Sequence, residues 1–368
     1  MGLLRFMLAF SVLAGHSGLG VKLLPGDAAV QTFYVISGFY MALVLNTNEV
    51  YASDTRAFLT QRALRLFPVY WVVLAATILL MMVLGPSDRL VRARQMVDGT
   101  PLQVGAYVVS SVFIIGQEAF LFAELHPDRS ISFQPTLYKA EHPAYNLLLV
   151  PQAWTLSLEM MFYALAPFIL RRSKRLLLLL IALSIAIRLV LVALGFHGAP
   201  WDYRFFPSEL ALFLTGAMGY RLVTQQKERQ AAAWLQYILV VSAVMIAVIL
   251  GRPEPGDPFR WRPSFFAMWL LVAAIPWLFA LTKKNRRDRM VGELSYPIYI
   301  THMIVIFAAG KGVFGPPRPI VTVVLAVALA VVFYAAVDLP LERFRHRLAN
   351  RHRPVPPHAA ASYDVLPK

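Results

Sequence analysis

Cysteine is absent from the 368 residues. That excludes a cysteine nucleophile and any thiolate metal site. Acidic residues are scarce, 20 against 35 basic ones, and the formal charge is +15. In a soluble chain such an excess would suggest nucleic acid. Here the basic residues sit in short loops between apolar runs, where they set topology and meet anionic lipid, so no nucleic-acid partner is expected. No Walker-type loop, no Rossmann glycine pattern and no evident internal repeat occurs. No stretch reads as a second, soluble domain. The first apolar segment is not followed by a small-residue cleavage site, so it is expected to be a retained helix. His126, His142, His197, His346, His352 and His358 lie in loops or the tail without paired ligand spacing, and no metal is expected.

What is present is apolar. Hydrophobic residues make up 58% of the chain and the mean hydropathy is +0.59, well above the ~45–50% of a soluble domain. Eleven apolar segments are visible, at 3–22, 28–46, 67–85, 105–124, 151–170, 175–196, 205–224, 233–251, 264–282, 290–311 and 319–339. Each span needs ~20 residues. The basic connections at 47–66, 171–175, 227–229 and 283–289 should face the cytoplasm. Parity then fails unless one segment does not cross. Gly105, Ser110, Ser111 and Gly116-Gln117-Glu118 single out 105–124 as re-entrant or interfacial. The expectation is an all-α polytopic transmembrane bundle of about ten spans over residues 1–346. A short basic, polar cytoplasmic tail follows at 347–368, and both termini are cytoplasmic.

Ionisable residues lie inside several of these segments. Arg5 and His16 share the first, Glu159 lies in Trp154-Thr155-Leu156-Ser157-Leu158-Glu159, and His302 lies in Ser295-Tyr296-Pro297-Ile298-Tyr299-Ile300-Thr301-His302. A charge at bilayer depth costs at least ~2.5–3.5 kcal/mol, so such residues are partnered or functional. His16 lies roughly 16 Å beyond Arg5 at ~1.5 Å per residue. The topology brings His16, Glu159 and His302 to similar depth from helices of different direction, which argues for one shared site.

Six fragments in order carry a resemblance. They are Arg5 and His16 with ten residues between; Phe33-Tyr34-Val35-Ile36-Ser37-Gly38-Phe39; Arg62-Ala63-Leu64-Arg65; Trp154 through Tyr163; Ser295 through His302; and Leu341-Glu342-Arg343. Over nearly the whole chain the sequence resembles the acyltransferase family three of multipass membrane proteins, which O-acylate sugars, polysaccharides, lipid-linked glycans and some macrolides. The resemblance implies a cytosolic acyl-coenzyme A donor, with acetyl the default, no permanently bound cofactor, a carbohydrate or cell-surface glycan acceptor, and residence in the inner membrane.

Within that reading His16 is the expected base for the acceptor hydroxyl, because imidazole titrates near neutrality. Arg5, Arg62 and Arg65 would bind the donor's phosphates through their guanidinium forks. The alternative for Arg62 and Arg65 is a positive-inside anchor. Glu159 would orient His16 or the acceptor, or else pair with an arginine. Trp154 and Tyr163 fit a sugar-stacking wall or interface anchors. Ser295, Tyr299 and His302 share one helix stripe, with His302 binding acceptor, relaying a proton, or simply hydrogen-bonded in the bundle. Ser37-Gly38 reads as close packing, with Ser37 beside the thioester channel. Two other functions remain open on sequence: O-acylation of a small, macrolide-like molecule, and a transporter with a His/Glu proton relay.

Overall fold

The structure is a computed structural model that describes residues 1–85, 87–224, 229–251 and 262–344. The expected tail at 347–368, and parts of the basic connections around 227 and 345, lie outside the described residues. Fourteen α-helices dominate the described residues: α1 (Gly2–His16), α2 (Gly26–Thr47), α3 (Glu49–Ser53), α4 (Thr55–Val83), α5 (Asp88–Val97), α6 (Pro101–Phe113), α7 (Trp154–Ile169), α8 (Lys174–Ala193), α9 (Phe206–Val223), α10 (Gln230–Leu250), α11 (Arg262–Thr282), α12 (Arg286–Glu293), α13 (Ser295–Gly310) and α14 (Pro319–Phe333). A two-stranded antiparallel ribbon, β1 (Ala123–Leu125) and β2 (Ile131–Phe133), pairs Ala123 with Phe133 and Leu125 with Ile131. The architecture is the all-α polytopic bundle that the apolar segments require.

Among the described residues, seven helical stretches are long and apolar enough to cross a membrane. The three other expected spans are shorter: α1, α7 and α9 have 15, 16 and 18 residues. Segment 105–124 does not form one continuous span. Thr100 and Gln103 start α6 with a reciprocal capping box, and Pro101 occupies its first turn. The helix then stops at Ile114, whose φ is 65°. The chain continues through a 3₁₀ turn at Gln117–Phe122 into β1. Thirteen helical residues reach only ~20 Å, short of the hydrocarbon thickness. Large apolar side chains on α8, α10 and α14, among them Leu179, Leu239 and Val324, point outward and exposed. On a membrane protein that surface meets lipid.

Local chemistry sets the ends. The Asp54 carboxylate accepts from the amides of Arg56 and Ala57 and starts α4, and Ser173 and Asn285 cap α8 and α12 in the same way. The first apolar segment ends early. It is helical only to His16, because Gly18 takes φ 76° and Pro25 precedes α2. His16 is therefore the last helical residue, exposed at the helix end. The Asp288 carboxylate of α12 receives the Met1 amine at 2.8 Å and the amides of Gly2 and Leu3 at 2.7 and 2.9 Å, and so clasps the start of α1. At the opposite end, residues 114–153 fold into a cap of short turns over the helices. Trp201 donates to the Pro135 carbonyl there at 2.8 Å, and Gln152 donates to the Ile300 carbonyl at 2.7 Å.

The bundle centres on α2 and α9, whose backbones touch. A Cβ on Gly38 would lie 1.7 Å from the Phe213 carbonyl oxygen, and one on Gly216 would lie 1.8 Å from that of Val35. The expectation that Ser37-Gly38 serves close approach is met at Gly38. Beside this contact Arg188 of α8 pairs with Glu209 of α9, both buried. Gln31 of α2 donates to both Glu209 carboxylate oxygens at 3.1 and 3.0 Å, and Arg188 donates to the Asp202 carbonyl at 2.7 Å. Each charge thus has several partners, which a buried pair needs.

Two outcomes follow. Gly38→Val has no room to relax between backbones and should lose on the order of 3 kcal/mol or more, read as a lowered thermal midpoint in detergent. Glu209→Leu alone should cost ~3–5 kcal/mol by stranding Arg188, and adding Arg188→Met should recover most of it; equal loss in single and double variants would show that the pair is not coupled.

Candidate active site

A cavity of about 520 Å³ opens among α1, α2, α4, α7, α11, α12 and α13. Arg5, Arg62 and Arg65 line it together, joined by Lys283 and Arg289. Asp288, Glu293 and Glu159 supply the opposing charge. Arg5 arrives because the Asp288 clasp fixes the start of α1. Arg62 and Arg65 arrive because they lie three residues apart on α4 and so share a face. The lining also includes Tyr40, Ser37 and Tyr163, and Phe33, Thr155 and Tyr299. Its charged residues suit an anionic group and its aromatic residues a thin, weakly polar arm.

The inner end is closed by a specific set of contacts. The Tyr299 hydroxyl lies 2.7 Å from Thr155 Oγ1, and Thr155 Oγ1 donates to the Gln152 carbonyl at 3.0 Å. The Phe33 ring meets the Tyr299 ring edge-on at 6.3 Å. Just beyond sits a histidine pair. His16 Nδ1 and His302 Nε2 are 2.9 Å apart. The ring planes differ by 6° and the centroids are 5.1 Å apart. A separation that large, with the nitrogens in contact, sets the rings edge to edge in nearly one plane. This is a hydrogen bond rather than a face-to-face stack. His302 is wholly buried, and its Nδ1 lies 2.7 Å from the Tyr299 carbonyl oxygen. His16, at the end of α1, is exposed.

The expected residues therefore fall into two connected groups. Arg5, Arg62, Arg65, Glu159, Tyr163, Ser37, Ser295 and Tyr299 line the cavity. His16 and His302 lie past Tyr299 and are not among the cavity-lining residues. Glu159 is thus set among the guanidinium groups rather than against His16. Ser37 shares the cavity with Tyr163, and no histidine is among the lining residues to serve as its base. Trp154 stands on the cap side, where the Arg204 guanidinium lies 5.1 Å from its ring, 4.6 Å from that of Tyr203 and 5.8 Å from that of Tyr145. These are cation–π distances.

Sequence reasoning did not find this arginine or its ring cage. Tyr203-Arg204 is visible as a dipeptide in an aromatic loop, but no periodicity links it to Trp154 or Tyr145. Glu118, which accepts from Ser157, was likewise noted only as an interruption of segment 105–124. Arg204 lies within electrostatic range of His16.

A family profile described as an acyltransferase domain matches residues 1–337. Nodulation protein 10 of Rhizobium leguminosarum bv. viciae is 26% identical over 353 residues, covering 89% of this chain and 86% of that protein. An uncharacterised protein of Aquifex aeolicus (strain VF5) is 26% identical over 164 residues, covering 42% of this chain and 69% of its own length. No solved structure matches.

Proposed function

From the premise that the chain belongs to the acyltransferase domain family and is a membrane acyltransferase, we propose that it moves an acyl group, acetyl by default, from cytosolic acyl-coenzyme A to a hydroxyl of a carbohydrate or cell-surface glycan. The observation that carries this reading is a cavity lined by Arg5, Arg62 and Arg65 whose inner end abuts the His16–His302 pair through Tyr299. Residues 1–346 form the catalytic unit. It sits in the inner membrane with both termini and the basic connections on the cytoplasmic side, where those connections meet anionic lipid.

The donor's phosphates dock against Arg5, Arg62 and Arg65, with Lys283 and Arg289 adding charge at the same cavity. Guanidinium forks bind phosphate oxygens in pairs. Glu159 and Glu293 offset part of the positive charge when the donor is absent. The pantetheine arm runs past Tyr40, Ser37 and Tyr163 toward Thr155. Tyr299 and Phe33 must give way for the thioester to approach His16. The acceptor comes from the side of the 114–153 cap, where the exposed His16 and the aromatic cluster of Trp154, Tyr203 and Tyr145 face it.

The chemistry balances on one imidazole. His16 takes the proton of the acceptor hydroxyl as its oxygen attacks the thioester carbonyl carbon. The C–O bond forms and the C–S bond breaks. The proton then passes from His16 to the departing thiolate, which leaves as free coenzyme A thiol. No net proton is lost by the protein.

His16→Ala should lower turnover by ~10²–10⁴-fold, the contribution of a positioned base, while the protein inserts and purifies as before. Thiol release from acetyl-coenzyme A and label transfer into glycan would measure it; full turnover in this variant removes His16 from the chemistry. Arg65→Ala should instead raise KM for acetyl-coenzyme A on the order of tenfold or more, since a hydrogen bond to a charged group contributes ~1.5–3 kcal/mol, with kcat nearly unchanged. If desulfo-acetyl-coenzyme A analogues bind the variant as tightly as the original, the arginines are anchors and not a donor site.

A further inference from the structure

We propose that His302 is a positioning residue that fixes the tautomer of His16, and that the Tyr299 main-chain carbonyl in turn fixes His302. This deepens the assignment of His16 as base and rests on it.

The carbonyl oxygen of Tyr299 can only accept a hydrogen bond. At 2.7 Å from it, Nδ1 of His302 must carry the proton; the other tautomer would press two lone pairs together. A neutral His302 therefore offers a lone pair at Nε2. His16 Nδ1 is 2.9 Å from that nitrogen in nearly the same plane, so His16 must donate. With Nδ1 protonated and facing His302, the basic nitrogen of His16 is Nε2, on the other side of an imidazole whose residue is exposed. One main-chain acceptor thus selects which nitrogen of a ring two hydrogen bonds away can take a proton.

The burial of His302 makes this selection firm. It is wholly buried, so bulk solvent does not reach its nitrogens, and both have protein partners. When His16 accepts a proton at Nε2, its Nδ1–H becomes a charge-assisted donor to the same lone pair, and the new charge is stabilised without transfer to His302. The orienting group is neutral, unlike a carboxylate, so the charge on His16 is not cancelled. Arg204, within electrostatic range, adds to it. Both effects favour prompt return of the proton to the leaving thiolate.

The test is histidine nitrogen NMR on the full chain in nanodiscs, with the His16 and His302 signals assigned from His16→Ala and His302→Ala. The expected spectrum shows neutral His16 protonated at Nδ1 and unprotonated at Nε2. A His16 found protonated at Nε2 overturns the proposal, and that result needs neither an acceptor nor activity.

Kinetics add a second reading, using acetyl-coenzyme A as probe. His302→Leu should lower kcat about a hundredfold with KM for acetyl-coenzyme A unchanged. His302→Gln, which retains an acceptor oxygen near the position of Nε2, should recover at least a tenfold part of that loss. Equal loss in Leu and Gln variants, with His16 still protonated at Nδ1 in both, assigns His302 to packing alone and overturns the proposal. An active His16→Ala sinks the base assignment while leaving the tautomer result standing, so the two failures are distinguishable.

Discussion

The contact of α2 with α9 is the constraint on which the rest of the bundle depends. Two glycines, Gly38 and Gly216, let the main chains meet without intervening side chains. In lipid there is little hydrophobic drive between helices, so such packing, with interhelical hydrogen bonds, must supply the cohesion. The same approach brings Gln31 onto the buried Arg188–Glu209 pair, whose charges could not be left unsatisfied at that depth. With α2 and α9 fixed, Phe33, Ser37 and Tyr40 form one side of the cavity, and α1, α4, α7 and α13 close around the other.

Much of the fold was legible because the membrane simplifies the code. Apolar length sets helix length. The failure of parity identified 105–124, and α6 does stop at Ile114. Arg62 and Arg65, spaced by three on one helix, were expected on one face and line one cavity. What periodicity could not give was partnership between distant segments. His16 and His302 are each visible as imidazoles within apolar segments, but their direct bond spans 286 positions, and no local pattern encodes it. The early end of α1 at His16 was also hidden, because hydropathy continues through Gly18 and Val21 while the helix does not. Arg204 was missed for a similar reason: its ring partners come from two other segments.

In the proposed reaction the site separates two tasks. Recognition of a multiply charged donor would belong to the arginines near the Asp288 end, and proton handling to the His16–His302 pair beyond Tyr299. On that reading the separation lets Arg5, Arg62 and Arg65 hold phosphates from a cavity that the imidazoles do not line. Tyr299 is the joint between these regions, because its ring and hydroxyl close the cavity while its main chain faces His302.

That division within a single residue has an evolutionary consequence. The acceptor that orients His302 is an oxygen of the peptide backbone, present whatever amino acid occupies position 299. Replacement of the tyrosine can reshape the chamber, yet it leaves the orienting oxygen in place so long as α13 stays helical. In the proposed reaction, selectivity for the transferred group would therefore be free to drift at this position under mutation, while the element that aims the histidines is inherited unchanged with the helix itself.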